Sequence, residues 1–495
     1  MNTVLTGVRT LVSGIVALVL LPLLIDRIGA APTGLFIFAT TLTGYFNAAE
    51  YGFGVSVTKY VAEHRATGDA EQLGSILRAS LMLLFGVGVA AAAALVMLGA
   101  FGGKALFGGA PVRPQATPTL FVAAAISLLY WPSRIGVAAL KGLERYDLCA
   151  LIEMASSVIT FCLIYAVSRW THAVAVLTAL FGALLVLEGV CAGAVAWPQL
   201  GVRRGVGRWR GEHLLPALGF SAGLGLMGLA STFAYESDRI VVATFVGASA
   251  IVVYELALRP HNTIRLIDGL IGSVLLSTSS RLVAQDRPMR LRELVLVGSL
   301  YEIVLTAPLV VLIFLLAHPI LEAWVGHGYG RYAVYVRIFI SYWFFGACTG
   351  TLATTILGIG YIRKFVWLSV AGGVLTLGLS IGLTATWGTV GVIWGTVIPF
   401  CLALPIWMHY ALRHVGISKT RYAHDVLAPG YAPVVLWAIP VTVLADVFDP
   451  RGLVGVGAFC AFALAALWLA LLPMLRTRWR RMLIDDRPEI LLQPD

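Results

Sequence analysis

The chain has 495 residues, 59% of them hydrophobic and only 12% charged, with a mean hydropathy of +0.88. A soluble globular protein carries roughly twice that charged fraction. A soluble enzyme is therefore excluded, and so is a nucleic-acid-binding domain, despite a net charge of +10. The six Cys (149, 162, 191, 348, 401 and 460) lie in apolar stretches without metal-ligand spacing. They read as small core residues, and no disulfide framework, metal or other cofactor is expected.

Apolar runs of membrane-crossing length recur from end to end, which predicts an all-α, polytopic membrane protein of about 14 helices. The predicted spans are 4–25, 33–58, 76–100, 116–140, 149–168, 173–197, 214–246, 249–280, 293–317, 333–358, 364–386, 389–412, 432–447 and 452–475. The first is read as a helix, not a signal peptide: it lacks an A-x-A cleavage site and runs straight on into further spans. Most Lys and Arg fall at one set of helix ends, among them Lys59, Arg65, Arg78, Lys141, Arg204, Arg290, Lys364 and Arg421. The positive-inside rule then places both termini in the cytoplasm, in a multi-pass inner (plasma) membrane protein. The longest external connection, 101–118, is too short for a soluble domain.

The second span carries an acid in apolar surroundings. Glu50 shares one helical face with Thr43, Asn47 and Gly54. A carboxylate there costs a few kcal/mol on insertion scales, so it must meet a partner or a hydrated path. Two roles are open for Glu50: a buried acid tied to an Arg for packing, or an ion-coupling group with Asn47 beside it on the substrate.

The chain also repeats itself at a spacing of about 218 residues. Gly29-Ala30 aligns with Gly247-Ala248, Phe36 with Tyr254, Ala39 with Ala257, Glu50 with Asp268 and Gly54 with Gly272. This predicts two pseudo-symmetric six-helix lobes, 1–200 and 213–415, inserted in the same direction as parallel repeats. Residues 430–475 would add two helices without counterparts, and 476–495 a cytoplasmic tail.

Several stretches resemble a known family. LIDRIGAAPTGLFIFATT (24–41), AAEYGFGVSVTKYVAE (48–63), ATGD (66–69), GLERYD (142–147) and ESDRIVVATFVGASAIVVYELA (236–257) are similar to the polysaccharide-biosynthesis flippases. These belong to the multidrug, oligosaccharidyl-lipid and polysaccharide exporter superfamily. The resemblance covers about residues 1–475, and Glu50 stands where many relatives have Asp. It implies a two-lobed exporter of 12 to 14 helices moving a polyprenyl-linked sugar across the inner membrane.

The eighth span is the most polar. At about 100° per residue, Glu255, Arg259, Asn262, Arg265, His261 and Asp268 occupy one half of the helix, opposite Leu256, Ile264 and Ile267. Two Arg at this depth must be paired or must meet an anion. A diphosphate linkage is such an anion, and guanidinium meets it with two parallel hydrogen bonds. Arg259, Arg265, Asn262 and His261 are therefore substrate-binding candidates, with Glu255 and Asp268 as ion-coupling groups beside Glu50. The competing reading pairs Glu255 with Arg259 at i+4 and Arg265 with Asp268 at i+3.

Arg134, inside the cytoplasmic end of the fourth span, either guides a phosphate or snorkels to headgroups. Glu153, Glu188 and Glu302 are isolated acids. Glu236, Asp238 and Arg239 cluster near one helix end, and Tyr342-Trp343-Phe344-Phe345 reads as core or as a sugar-stacking patch. The reading for function is a flippase, not an enzyme, for a polyprenyl-diphosphate-linked oligosaccharide. It would work by alternating access, driven by an H+ or Na+ gradient, as a monomer among membrane lipids. The alternatives are an ion-coupled drug antiporter or a peptidoglycan-precursor flippase of the same superfamily, and, from another class, a membrane polysaccharide polymerase or ligase.

Overall fold

The computed structural model describes residues 2–44, 54–67, 70–102, 112–201, 236–359 and 362–484, and all regular structure among them is helical. In order these are α1 (Asn2–Ile28), α2 (Ala30–Gly44), α3 (Val55–Thr67), α4 (Ala70–Met97), α5 (Arg113–Gly142), α6 (Tyr146–Ser168) and α7 (Val174–Ala196). After a helical stretch at 236–245 come α8 (Ala248–Ala284), α9 (Pro288–Leu315), α10 (Ala317–Trp324), α11 (Ala333–Gly346) and α12 (Thr349–Ile359). The chain continues with α13 (Ile362–Trp387), α14 (Thr389–Val415), α15 (Ala428–Phe448) and α16 (Gly452–Ile484).

Among the described residues, ten helices are long and apolar enough to cross a membrane, and α11 with α12, bent by 54°, makes an eleventh span if counted as one. The predicted spans 33–58 and 214–246 fall partly outside the described residues. The predicted span 249–280 lies within a single helix, α8, whose Glu255, Arg259, Arg265, Asp268 and Arg281 keep it from passing as purely apolar. The protein is thus an all-α, polytopic membrane protein. Its outer faces agree with that: Leu11, Ile15, Phe85, Leu129, Leu187, Leu436, Val443 and Phe462 are all exposed, which suits lipid and not water.

The described chain falls into two compact units, residues 1–254 with 369–395 and residues 255–368 with 396–495. In the first, α5 is central and packs on α2, α3, α4 and α7. Lipid tails are as apolar as Leu, so helices gain little by hiding Leu from lipid and gain more from close backbone packing. Small residues supply it. A Cβ at Gly136 of α5 would lie 2.2 Å from the Gly189 carbonyl oxygen and 2.4 Å from the Gly193 nitrogen of α7. Gly189 and Gly193 form a G-x-x-x-G pair. The two glycines aligned by the internal repeat share a backbone feature as well. Gly29 (φ 87°) and Gly247 (φ 117°) both lie in the left-handed region just before a helix, where a side chain would be strained.

In the second unit α9 is the buried centre. Val295, Leu300, Ile303, Val304 and Ala307 form its core with Leu352 and Ile356 of α12, Val434 of α15 and Leu467 of α16. Side chains of the C-terminal segment and of α9 tie this core together. Trp468 Nε1 donates to the Val304 carbonyl at 3.1 Å, Tyr301 Oη to that of Leu475 at 3.0 Å, and Tyr422 Oη to that of Cys348 at 3.3 Å.

Candidate functional site

The polar half of α8 is built as its periodicity demands, with Pro260 inside the helix. The proline withholds one backbone donor from the helical ladder. Directly before it, Arg259 Nε lies 3.2 Å from Glu255 Oε2, with the Glu255 side chain 1% exposed and that of Arg259 26%. This is the i+4 pair the spacing allows, and it leaves part of the Arg259 side chain exposed.

His261 is wholly buried. Its Nδ1 accepts from Trp343 Nε1 at 3.1 Å and lies 3.2 Å from Tyr342 Oη, and its ring packs 4.5 Å from Phe339. An indole N–H is only a donor, so Nδ1 carries no proton and the imidazole is the neutral Nε2–H tautomer. The aromatic patch of α11 therefore divides. Tyr342 and Trp343 cage His261, Phe344 packs against Tyr431, and Phe345 faces outward, 60% exposed.

Asn262 and Arg265 are half-buried on the same helix. Ion pairs among the described residues do not include Arg265 with Asp268. Asp268 turns instead toward Glu302 of α9, and the two carboxyls meet beside Gly350 of α12. Asn47 and Glu50 lie outside the described residues.

Arg134 does not snorkel. Its side chain is 10% exposed, and its guanidinium lies 2.9 Å from Glu188 of α7 and 5.6 Å from the Tyr130 ring. The acids that looked isolated in the sequence all have company. Glu153 of α6 pairs with Arg9 of α1, Glu188 with Arg134, and Glu302 with Asp268 and Thr351. Arg239 pairs with Glu236. Asp238 is buried and accepts from Tyr254 Oη and Ser380 Oγ, each at 2.9 Å, a convergence across 142 residues that periodicity cannot show.

These features place a polar helix half of mixed charge and several internally partnered acids within one helical membrane protein. The profile of the family described as "Polysaccharide biosynthesis protein" matches residues 80–333. The chain belongs to this family. No curated protein sequence matches it, but solved structures share its fold. An inward-facing multidrug resistance MATE family transporter of the MOP superfamily is 18% identical, with a TM-score of 0.64 over 82% of this chain and 94% of its own. The lipid II flippase MurJ in an inward closed conformation is 14% identical, with a TM-score of 0.70 over 97% of this chain and 100% of its own. A MOP superfamily transporter from Pyrococcus furiosus, described as having a binding pocket of reversed polarity, is 16% identical with a TM-score of 0.53 over 84% of this chain. The polysaccharide biosynthesis protein is thus a multi-pass membrane protein on the fold of the MOP superfamily's transporters and flippases. The MurJ likeness leaves too little of the chain outside it to omit both C-terminal helices, α15 and α16.

Proposed function

We propose that this polysaccharide biosynthesis protein is an inner-membrane flippase for a polyprenyl-diphosphate-linked oligosaccharide. It works by alternating access, driven by an H+ or Na+ gradient, with both termini in the cytoplasm and no catalytic step. The observation that carries the reading is the polar half of α8. The Arg259 side chain stays 26% exposed while paired, and Arg265, half-buried, lies further along the same half of the helix beside Asn262. Two cations suit a diphosphate and oppose a cationic drug, since a guanidinium forks onto phosphate oxygens and repels positive charge. Family membership points to a glycan, and a lipid carrier suits a cargo whose tail stays in the bilayer while its head crosses. The two six-helix lobes, 1–200 and 213–415, remain part of this proposal as the halves that alternate.

Glu255 makes the test sharp, because it is buried and paired. Arg259→Ala alone removes the cation beside that buried carboxylate and lowers abundance. Arg259→Ala with Glu255→Ala removes both charges and restores abundance. Per molecule, however, flipping of a fluorescent lipid-linked oligosaccharide in proteoliposomes falls about 10- to 100-fold, the equivalent of losing a charge-assisted contact worth about 1.5–3 kcal/mol. Full transport by the double variant would leave the pair as scaffolding and sink the diphosphate site.

A further inference from the structure

The sequence gives no hint that Asp268 and Glu302 belong together, yet they meet at one point. A methyl group at Gly350 would lie 2.2 Å from Glu302 Oε1 and 2.3 Å from Asp268 Oδ1, so both oxygens converge on the space that glycine leaves open. Glu302 is fully buried. No N–H or O–H of the described residues reaches either converging oxygen. The other oxygen of Glu302, Oε2, is satisfied: it accepts from the Thr351 backbone N–H at 2.9 Å and from Thr351 Oγ1 at 2.6 Å.

Two ionised carboxylates have only acceptors to offer each other. In a water-poor site, two such anions at one point repel strongly, and a single proton between them both removes one charge and supplies the missing donor. We propose that Asp268 and Glu302 form a proton-binding site, with one proton shared between Asp268 Oδ1 and Glu302 Oε1. This rests on the ion-driven flippase reading and names its coupling ion and the carrier of the proton. The proton comes from water on one side of the membrane and leaves to water on the other. No bond other than O–H is made or broken.

The position of the pair links protonation to shape. α11 and α12 are two halves of one span, bent by 54°, and Thr351 is the third residue of α12. Its N–H is one of those a helix start leaves without an intrahelical partner. Glu302 therefore holds the start of α12 with one oxygen and the shared proton with the other. Loss of the proton drives the carboxylates apart and disturbs the anchoring of α12 at the break. Among the described residues, the other titratable groups beside Glu302 are Cys348, Tyr422 and Tyr431, and Arg265 lies three residues before Asp268 on α8. A thiol and phenols bring no charge of their own to the pair at neutral pH.

The test is infrared difference spectroscopy on the purified full-length protein during a pH step, without substrate. The wild type should lose one protonated-carboxyl carbonyl band on going alkaline, and that band should move in heavy water. Glu302→Gln and Asp268→Asn should each abolish it. Gly350→Ala, which keeps both acids but wedges them apart, should abolish or shift it. A band that survives in both single variants, or one displaced by Na+ at constant pH, overturns the shared proton. If the band behaves as expected while no lipid-linked glycan is flipped, the site stands and the flippase reading falls. If a pH gradient drives flipping equally in wild type and Glu302→Gln, the site falls and the flippase reading stands.

Discussion

Arg134–Glu188 and Asp268–Glu302 are two ways of holding charge inside a helical membrane protein. In the first, a cation meets an anion at 2.9 Å, both side chains are at least nine-tenths buried, and Tyr130 covers the guanidinium. In the second, an acid faces an acid, and only one oxygen of Glu302 has donors from Thr351. The first arrangement matches opposite charges and joins α5 to α7. The second is complete only when something is added. A finished pair resists change, and an unfinished one can respond to it.

The largest expected effect comes from breaking the finished pair. Glu188→Leu keeps roughly the volume but takes the anion away from the buried Arg134, which should cost about 3–5 kcal/mol. Glu188→Leu with Arg134→Met removes both charges and should be neutral or more stable than the wild type, because the desolvation of two ions disappears with them. Denaturant unfolding of the purified protein in detergent reads both. A loss below about 1 kcal/mol in the single variant would mean the pair is weakly coupled to the fold, as exposed pairs are.

Next comes one substitution made at two glycines. At Gly136 an added Cβ meets backbone, the Gly189 oxygen at 2.2 Å and the Gly193 nitrogen at 2.4 Å. Backbone in a packed helix cannot swing aside, so Gly136→Ala must push α5 and α7 apart, at about 1–3 kcal/mol. At Gly350 the same methyl meets the free ends of two carboxyl groups, which can rotate. Gly350→Ala should therefore leave the unfolding midpoint close to that of the wild type while disturbing the acid pair. Equal losses at the two sites would show that the carboxyls are as fixed as backbone, and the contrast between rigid and responsive regions would fail.

Hydropathy made the membrane spans legible, because about 20 apolar residues in a row have few other uses. The polar half of α8 and the Glu255–Arg259 pair were legible too, since both depend only on the helical repeat. Arg134–Glu188, Asp268–Glu302 and Asp238–Ser380 were not. A helical wheel says which face a residue occupies but not which helix lies opposite, and these partners are 54, 34 and 142 residues apart. Gly350 was hidden for another reason: its role is the space left by an absent side chain, which carries no chemical signature. The glycines of the repeat were legible as an alignment, and the shared left-handed backbone at Gly29 and Gly247 supplies the physical cause.

A third acid, outside the membrane-spanning segments, offers the smallest effect and a control for both pairs. Glu322 of α10 accepts from the backbone N–H of Gly328 at 3.0 Å and of Gly330 at 2.8 Å, and its second oxygen lies 3.1 Å from His327 Nδ1. Donors aimed at a carboxylate favour its charged form. The Gly330 and Gly328 amides hold Glu322 below its ordinary pKa despite the opposing effect of partial burial. Such an acid contributes stability above its unfolded-state pKa and loses it as pH falls through the lower folded-state value. The loop at 325–330 should therefore be closed at neutral pH and open only below the usual glutamate range. Hydrogen exchange at Gly328 and Gly330, corrected for intrinsic rates, reads this directly. Glu322→Ala should speed their exchange at neutral pH and remove the acid dependence, with no measurable shift in global unfolding. Donors on both oxygens favour the charged form of this acid. If Glu322 instead responded to pH near neutrality, satisfied hydrogen bonding would not be what separates a fixed acid from a responsive one, and the distinction drawn for Asp268–Glu302 would lose its physical basis.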